Sequence, residues 1–375
     1  MIALAPLCLL IGILDRAPEA AFLQGCRRCE GRGVSACRRC EKDPCTAERP
    51  FVFCSVRGAC AECGGVGLVE CERCDAPAQV DLPQQRGTVA TWKAQVAPVE
   101  AFMGRPLRHA ASPHFVLTFE IEKIDVGKPH QAMHVYLDRL EALMETFQRD
   151  LGAADSDFSA PTRVLLWARQ ADQEKASLEY TLQPSSTESK LMGANPVVSI
   201  FYDKGHLHEE FELHQAVVHQ VAHCLLSNVW DGVWSGNIKG GWIDEGLAHW
   251  YETSLFGGVR HYCYVENDTL MDFQYGRWES EVRQGVDRDQ ALGVLSVTGR
   301  NTVEMTPQER MYAWSLVDYL MRARAGTLGP IARDVKRKRA LKDSFAEHLE
   351  ATPFEVDAAW KAWVRATYSP KKRPR

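Results

Sequence analysis

Eleven of the thirteen cysteines fall before residue 75, and this clustering constrains the fold more than any other feature of the chain. Residues 26–74 are rich in Cys, Gly and Arg and show no apolar periodicity, so they cannot bury a core of ordinary size. The cysteines repeat. Cys26-Arg-Arg-Cys29-Glu-Gly31-Arg-Gly33 leads to Cys37-Arg-Arg-Cys40. The pattern returns 34 residues later as Cys60-Ala-Glu-Cys63-Gly-Gly65-Val-Gly67 and Cys71-Glu-Arg-Cys74. A CxxC turn lets two thiolates grip one tetrahedral ion from a tight loop. The glycines permit the positive φ that such knuckles need. Eight cysteines predict two four-thiolate zinc sites whose metal supplies the folding energy. The alternative is a disulfide frame, which an oxidising compartment would permit. The spacing leaves open which motifs share an ion. Cys45 and Cys54 stand outside the repeat, as a disulfide or as two free thiols.

The CxxCxGxG motif, present twice and each time followed by CxxC, resembles the cysteine-rich region of DnaJ-type co-chaperones. The resemblance implies that Cys26, Cys29, Cys71 and Cys74 hold one ion and that Cys37, Cys40, Cys60 and Cys63 hold the other. It also implies a protein-binding module. The second and fourth motifs lack the trailing GxG and no His-Pro-Asp motif is present, so co-chaperone activity does not follow.

The remainder of the chain reads differently. Residues 77–111 carry Pro77, Pro83, Pro98 and Pro106 among scattered polar residues, which predicts a linker with one short helix. From residue 112 to 368 the pattern predicts strands first and helices later, an α+β domain. HFVLTFEIEKI alternates as a strand, and Met133, Tyr136, Leu137, Leu140, Leu143, Met144 and Phe147 share one helical face. Thr162–Ala168 reads as a buried strand. Asn195–Tyr202 reads as another, placed at a sheet edge because Pro196 opens it. Helices are expected over Glu210–Val229, Ile243–Leu255, Pro307–Arg324, Leu328–Arg339 and Pro353–Tyr368.

Two motifs in this domain carry chemistry. His219-Gln220-Val221-Ala222-His223 puts two imidazoles one turn apart on one helical face, where both can reach one metal. Gly241-Trp242-Ile243-Asp244-Glu245-Gly246-Leu247-Ala248 offers a carboxylate early in the next helix as a third ligand. The bland alternative is a metal-free histidine pair in a helical core. His249, one turn beyond Glu245, is expected at the surface, with orienting that carboxylate as the alternative; His206, His208 and His214 are expected in solvent. Tyr251 and Tyr312 are candidate oxyanion donors.

Together these motifs resemble the peptidase-MA-like group of gluzincin metallopeptidases, in which HExxH precedes GWxxEGxA. YAWSLVDYL (Tyr312–Leu320) and PFEVDAAWKAWV (Pro353–Val364) extend the likeness. The resemblance implies a thermolysin-like fold, with a mixed sheet and then a mainly helical C-terminal part. It also implies a third zinc held by His219, His223 and Glu245. The general-base position is Gln220, and a neutral amide accepts no proton. The expected molecule is therefore a zinc-loaded, catalytically impaired peptidase-like protein that binds peptide or protein. The alternatives are an active peptidase with another base, such as Asp244, and an adaptor whose main part is the zinc module.

The rest of the chain sets limits. A net charge of −5 gives no case for nucleic acid, and the knuckles lack aromatic residues for base stacking. Residues 2–14 are nearly all apolar but fall short of the roughly 20 needed to span a bilayer. No transmembrane span is expected. Residues 1–21 read as a signal peptide of an exported protein; a mis-assigned start or a buried apolar segment in a cytoplasmic one is the alternative. The basic tail, residues 369–375, reads as solvated.

Overall fold

The structure, a computed structural model, describes residues 26–40, 52–74, 77–203, 205, 207–259 and 278–370. The signal-peptide reading, Cys45, His206 and the tail beyond residue 370 lie outside them. Among the described residues no helix is long and apolar enough to cross a membrane.

The cysteine repeats meet through a two-stranded antiparallel ribbon, β1 (Val34–Ala36) with β3 (Leu68–Glu70). Between the repeats the chain leaves the ribbon. There β2 (Phe53–Cys54) and the single turn α1 (Ser55–Gly58) reach over to the second half of the molecule. β2 forms one edge of a six-stranded mixed sheet of order β2-β4-β5-β6-β8-β7. The other strands are β4 (His109–Ala111), β5 (Phe115–Phe119), β6 (Thr162–Trp167), β7 (Glu188–Leu191) and β8 (Val197–Phe201). β5, β6 and β8 run parallel, and β7 closes the far edge antiparallel to β8.

Two expectations change here. The stretch expected to be a linker holds α2 (Leu82–Met103), 22 residues long, and then β4. Pro83 sits in the first turn, where its missing N–H costs nothing. Asp81 accepts from the Gln84 N–H at 2.9 Å, and Gly104 ends the helix at φ 75°. Pro98 lies inside the helix. Val89 and Val96 pack on Phe53 and Ala111, and Val99 and Met103 on Leu165 and Trp167. Lys93 Nζ donates to the Gly58 carbonyl at 2.6 Å. α2 thus wedges the cysteine segment against the sheet. The second change concerns β8, which is interior and not an edge. Pro196 precedes it, and its carbonyl still accepts from the Arg163 N–H at 2.9 Å. The edge is β7, a strand between β6 and β8 in sequence that the pattern did not predict.

Helices fill the rest. α3 (Pro129–Leu151) lays its expected apolar face on the sheet beside α5 (Glu210–Asn228). α4 (Gln170–Ala176) runs into a π turn, Ser177–Thr181, before β7. α6 (Gly241–Phe256), α7 (Trp278–Asp287), α8 (Val294–Thr298) and α9 (Pro307–Ala323) follow. α10 (Leu328–Lys336), α11 (Leu341–Leu349) and α12 (Pro353–Thr367) complete the helical C-terminal part. The domain is α+β, as the order of patterns predicts.

Two contacts hold the central helices. The buried Lys336 ammonium donates to the carbonyls of Leu226 at 2.9 Å, Ser227 at 3.0 Å and Val229, satisfying orphan groups at the end of α5. Gly246 lets α6 approach α9 so closely that a Cβ there would stand 2.7 Å from the Ala313 carbonyl oxygen and from Val317. Gly246→Ala is expected to destabilise the protein by about 1–3 kcal/mol, the usual cost of overpacking. A urea melt checks this, and an unchanged midpoint would mean the helices can separate freely.

Candidate metal centres

The eight repeat cysteines gather into two groups, Cys26, Cys29, Cys71 and Cys74, and Cys37, Cys40, Cys60 and Cys63. Each group takes one motif from each repeat, so pairing within a repeat is not adopted. The antiparallel β1–β3 ribbon dictates this by crossing the repeats. Sulfur spacings are 3.7 Å for Cys26–Cys71, 3.3 Å for Cys29–Cys74, 3.8 Å for Cys37–Cys60 and 3.7 Å for Cys40–Cys63. Four sulfurs at about 2.3 Å from a tetrahedral ion stand roughly 3.8 Å apart, so both groups fit one ion each. Gly65 has φ 93° and its Cα side lies against Gly58, which leaves no room for a Cβ. Burial opposes ionisation of Cys29, but Cys74 and the Gly33 N–H bring its thiol down to about 6. The Cys63 N–H chiefly brings Cys60 down to about 7. Burial pushes Cys40 far up, so the inner group needs a cation before all four thiols can ionise.

The second centre lies where α5 crosses α6. His219 and His223, one turn apart, point their Nε2 atoms at each other across 3.2 Å. His223 Nδ1 stands 2.9 Å from Asp244 Oδ1, and His219 Nδ1 stands 3.3 Å from Glu252 Oε2. His223 Nδ1 hydrogen-bonds to Asp244, and Glu252 lies beside His219. A cation between the two facing Nε2 atoms would satisfy both. Nitrogens at 2.0–2.1 Å from a tetrahedral zinc are spaced by roughly 3.3 Å, so the pair fits. All of these side chains are buried.

Glu245 joins them. Its carboxylate groups within 4.8 Å of His219 and His249 on one side and of His223 and Asp244 on the other. Arg310 Nη1, from α9, stands 2.6 Å from Glu245 Oε1, and His249 Nε2 stands 3.5 Å from Oε2. Burial would raise Glu245, yet Arg310 foremost, then His249 and His223, hold it well below the usual carboxylate range. His249 is not at the surface. It is buried between His219, Trp278, Glu245 and Glu252. Burial would lower it, but the two carboxylates raise it to about 9. Its i+4 spacing from Glu245 was the one sequence signal for this contact.

Gln220 faces a cavity of about 700 Å³, lined also by Lys190, Met192, Trp234, Glu245 and Arg310. Lys190 Nζ, on edge strand β7, donates to Gln220 Oε1 at 2.7 Å. No local pattern foretold this pair, whose members are 30 residues apart. Asp244, the candidate substitute base, has both carboxylate oxygens engaged. Its Oδ1 meets His223, and its Oδ2 accepts from Trp234 Nε1 at 3.0 Å and Thr302 Oγ1 at 2.7 Å. Neither tyrosine candidate lines the cavity. Tyr251 is buried with its hydroxyl 3.4 Å from Asp150 Oδ2, and Tyr312 packs on Trp360. His208 is exposed as expected, whereas His214 is half-buried against Phe256 and Tyr136. No family model and no curated protein matches this chain.

Proposed function

We propose that this is a zinc-binding, metallopeptidase-like protein of impaired hydrolytic power, which binds an extended peptide beside the His219–His223–Glu245 centre. In this reading the cysteine module, with two zinc ions, is a second surface for a protein partner. The observation that carries the reading is the Lys190–Gln220 pair at 2.7 Å. Zinc at the centre would supply Lewis acidity. Where the gluzincin resemblance puts a carboxylate base, the chain instead presents an amide whose oxygen already accepts from an ammonium. Neither group can take up a proton at neutral pH. Trp234 and Arg310 already hold Asp244 and Glu245 in place, and β7 supplies a strand edge along the same cavity wall.

The orientation of β7 makes the binding mode testable. The Phe201 N–H donates to the Thr187 carbonyl at 2.7 Å, so alternation turns residues 187, 189 and 191 toward β8 and Glu188 and Lys190 outward. A peptide added as a strand would bond to that outward side. Glu188→Pro removes an N–H outside the β8 ladder, one that a peptide must draw away from Ser185 Oγ, its acceptor at 3.1 Å. It is expected to weaken peptide binding about tenfold, near the upper net worth of one hydrogen bond. Calorimetric titration with a bound peptide checks this, zinc content being measured alongside. Unchanged affinity would move the peptide off β7.

A further inference from the structure

The two centres leave out a third convergence of metal-binding side chains. Cys54 ends β2, the strand that the cysteine segment lends to the sheet, and its pairing with Ala110 places it in the core beneath α3. His130 and His134 lie one turn apart at the start of α3. One ligand atom from each of the three lies within 4.8 Å of the others. Cys54 Sγ stands 3.2 Å from His130 Nε2, and the two imidazole rings meet edge-on with centroids 5.2 Å apart. Cys54 and His134 are buried and His130 is half-buried.

A thiol hydrogen-bonded to an imidazole would need only one histidine. Here a second imidazole, 4% exposed, converges on the same point. Zinc bonds of about 2.3 Å to sulfur and 2.0–2.1 Å to nitrogen space such ligands by roughly 3.6 Å, inside the range observed. One thiolate and two imidazoles form a borderline-soft donor set that selects zinc over magnesium or calcium.

We propose that Cys54, His130 and His134 bind a further zinc ion, distinct from the two four-cysteine sites and from the His219–His223 centre. The ion joins the segment between the cysteine repeats to the first long helix behind the sheet. It acts as a staple between the module and the α+β domain.

Native mass spectrometry of the full-length, zinc-loaded chain tests this by counting ions. Cys54→Ser and His130→Gln are each expected to lose one ion relative to the wild type. His223→Ala should lose a different one, so that Cys54→Ser with His223→Ala loses two. Circular dichroism verifies the fold of each variant. Since His130 is half-buried, His130→Gln stays informative should the buried Cys54→Ser fail to fold. If His130→Gln retains the full wild-type ion count, the cluster is a thiol–imidazole pair without metal and the proposal is overturned. That result would leave the reading of the His219–His223 centre intact, because His223→Ala reports on it separately.

Discussion

Gln220→Glu combined with Lys190→Ala is expected to raise peptide hydrolysis by roughly 10²–10⁴-fold over the wild type, the span of a general base. The single change Gln220→Glu should do far less. Glu and Gln are nearly isosteric, so the new carboxylate would take the place of the amide 2.7 Å from the Lys190 ammonium. An opposite charge at such range lowers a carboxylate's pKa by about 1–3 units, which makes it a weaker proton acceptor. Removing the ammonium as well frees the carboxylate to face the histidine pair. The measurement is the cleavage rate of a peptide known to bind, with zinc content matched across wild type, single and double variants. A double variant that binds zinc and peptide yet stays as inert as the wild type would mean that the cleft itself, and not only its base, has lost catalytic geometry.

Removing metal from the cysteine segment should have the largest effect on stability. The local cluster around the inner group consists of Cys37, Cys40 and Cys63, with Cys60 and Val69 against it. Apart from Val69, the metal ligands are themselves the core. Structural zinc sites of this kind contribute roughly 10–16 kcal/mol of apparent binding free energy at neutral pH, far more than one valine can replace. With a strong chelator, hydrogen exchange at residues 26–40 and 60–74 is expected to rise to unfolded-chain rates. β5, β6 and β8 should stay protected, since their core runs through Phe115, Val164, Leu166, Val198 and Ile200. Unchanged protection under chelation, with the thiols found oxidised, would replace the metal sites by disulfides.

The parts of this molecule that were legible in sequence are those with local periodicity. CxxC spacing marked all eight clustered cysteines, but the crossing of the repeats by β1 and β3 decides which motifs share an ion. The i, i+4 spacing marked His219 and His223 on α5. β5, marked by apolar alternation, and β6 and β8, marked by short apolar runs, were plain, while β2, β4 and β7 were not, being two to four residues long and partly polar. α2 was hidden by Pro83, Gly87 and Pro98, residues that punctuate loops more often than helices. Lys190, Arg310 and the Cys54–His130–His134 cluster were invisible for a different reason. Each acts on a residue at least 30 positions away, and only tertiary packing joins them.

Binding of a peptide without cleavage at the metal centre is the property most directly open to test. Zinc-loaded wild-type protein should therefore be incubated with a mixed peptide library, and both the bound and the released peptides sequenced by mass spectrometry. Peptides recovered from the protein are expected to be intact, with no new termini accumulating. New termini that form only with zinc and vanish in His223→Ala would contradict this expectation, and would require a proton acceptor other than Gln220 and Asp244.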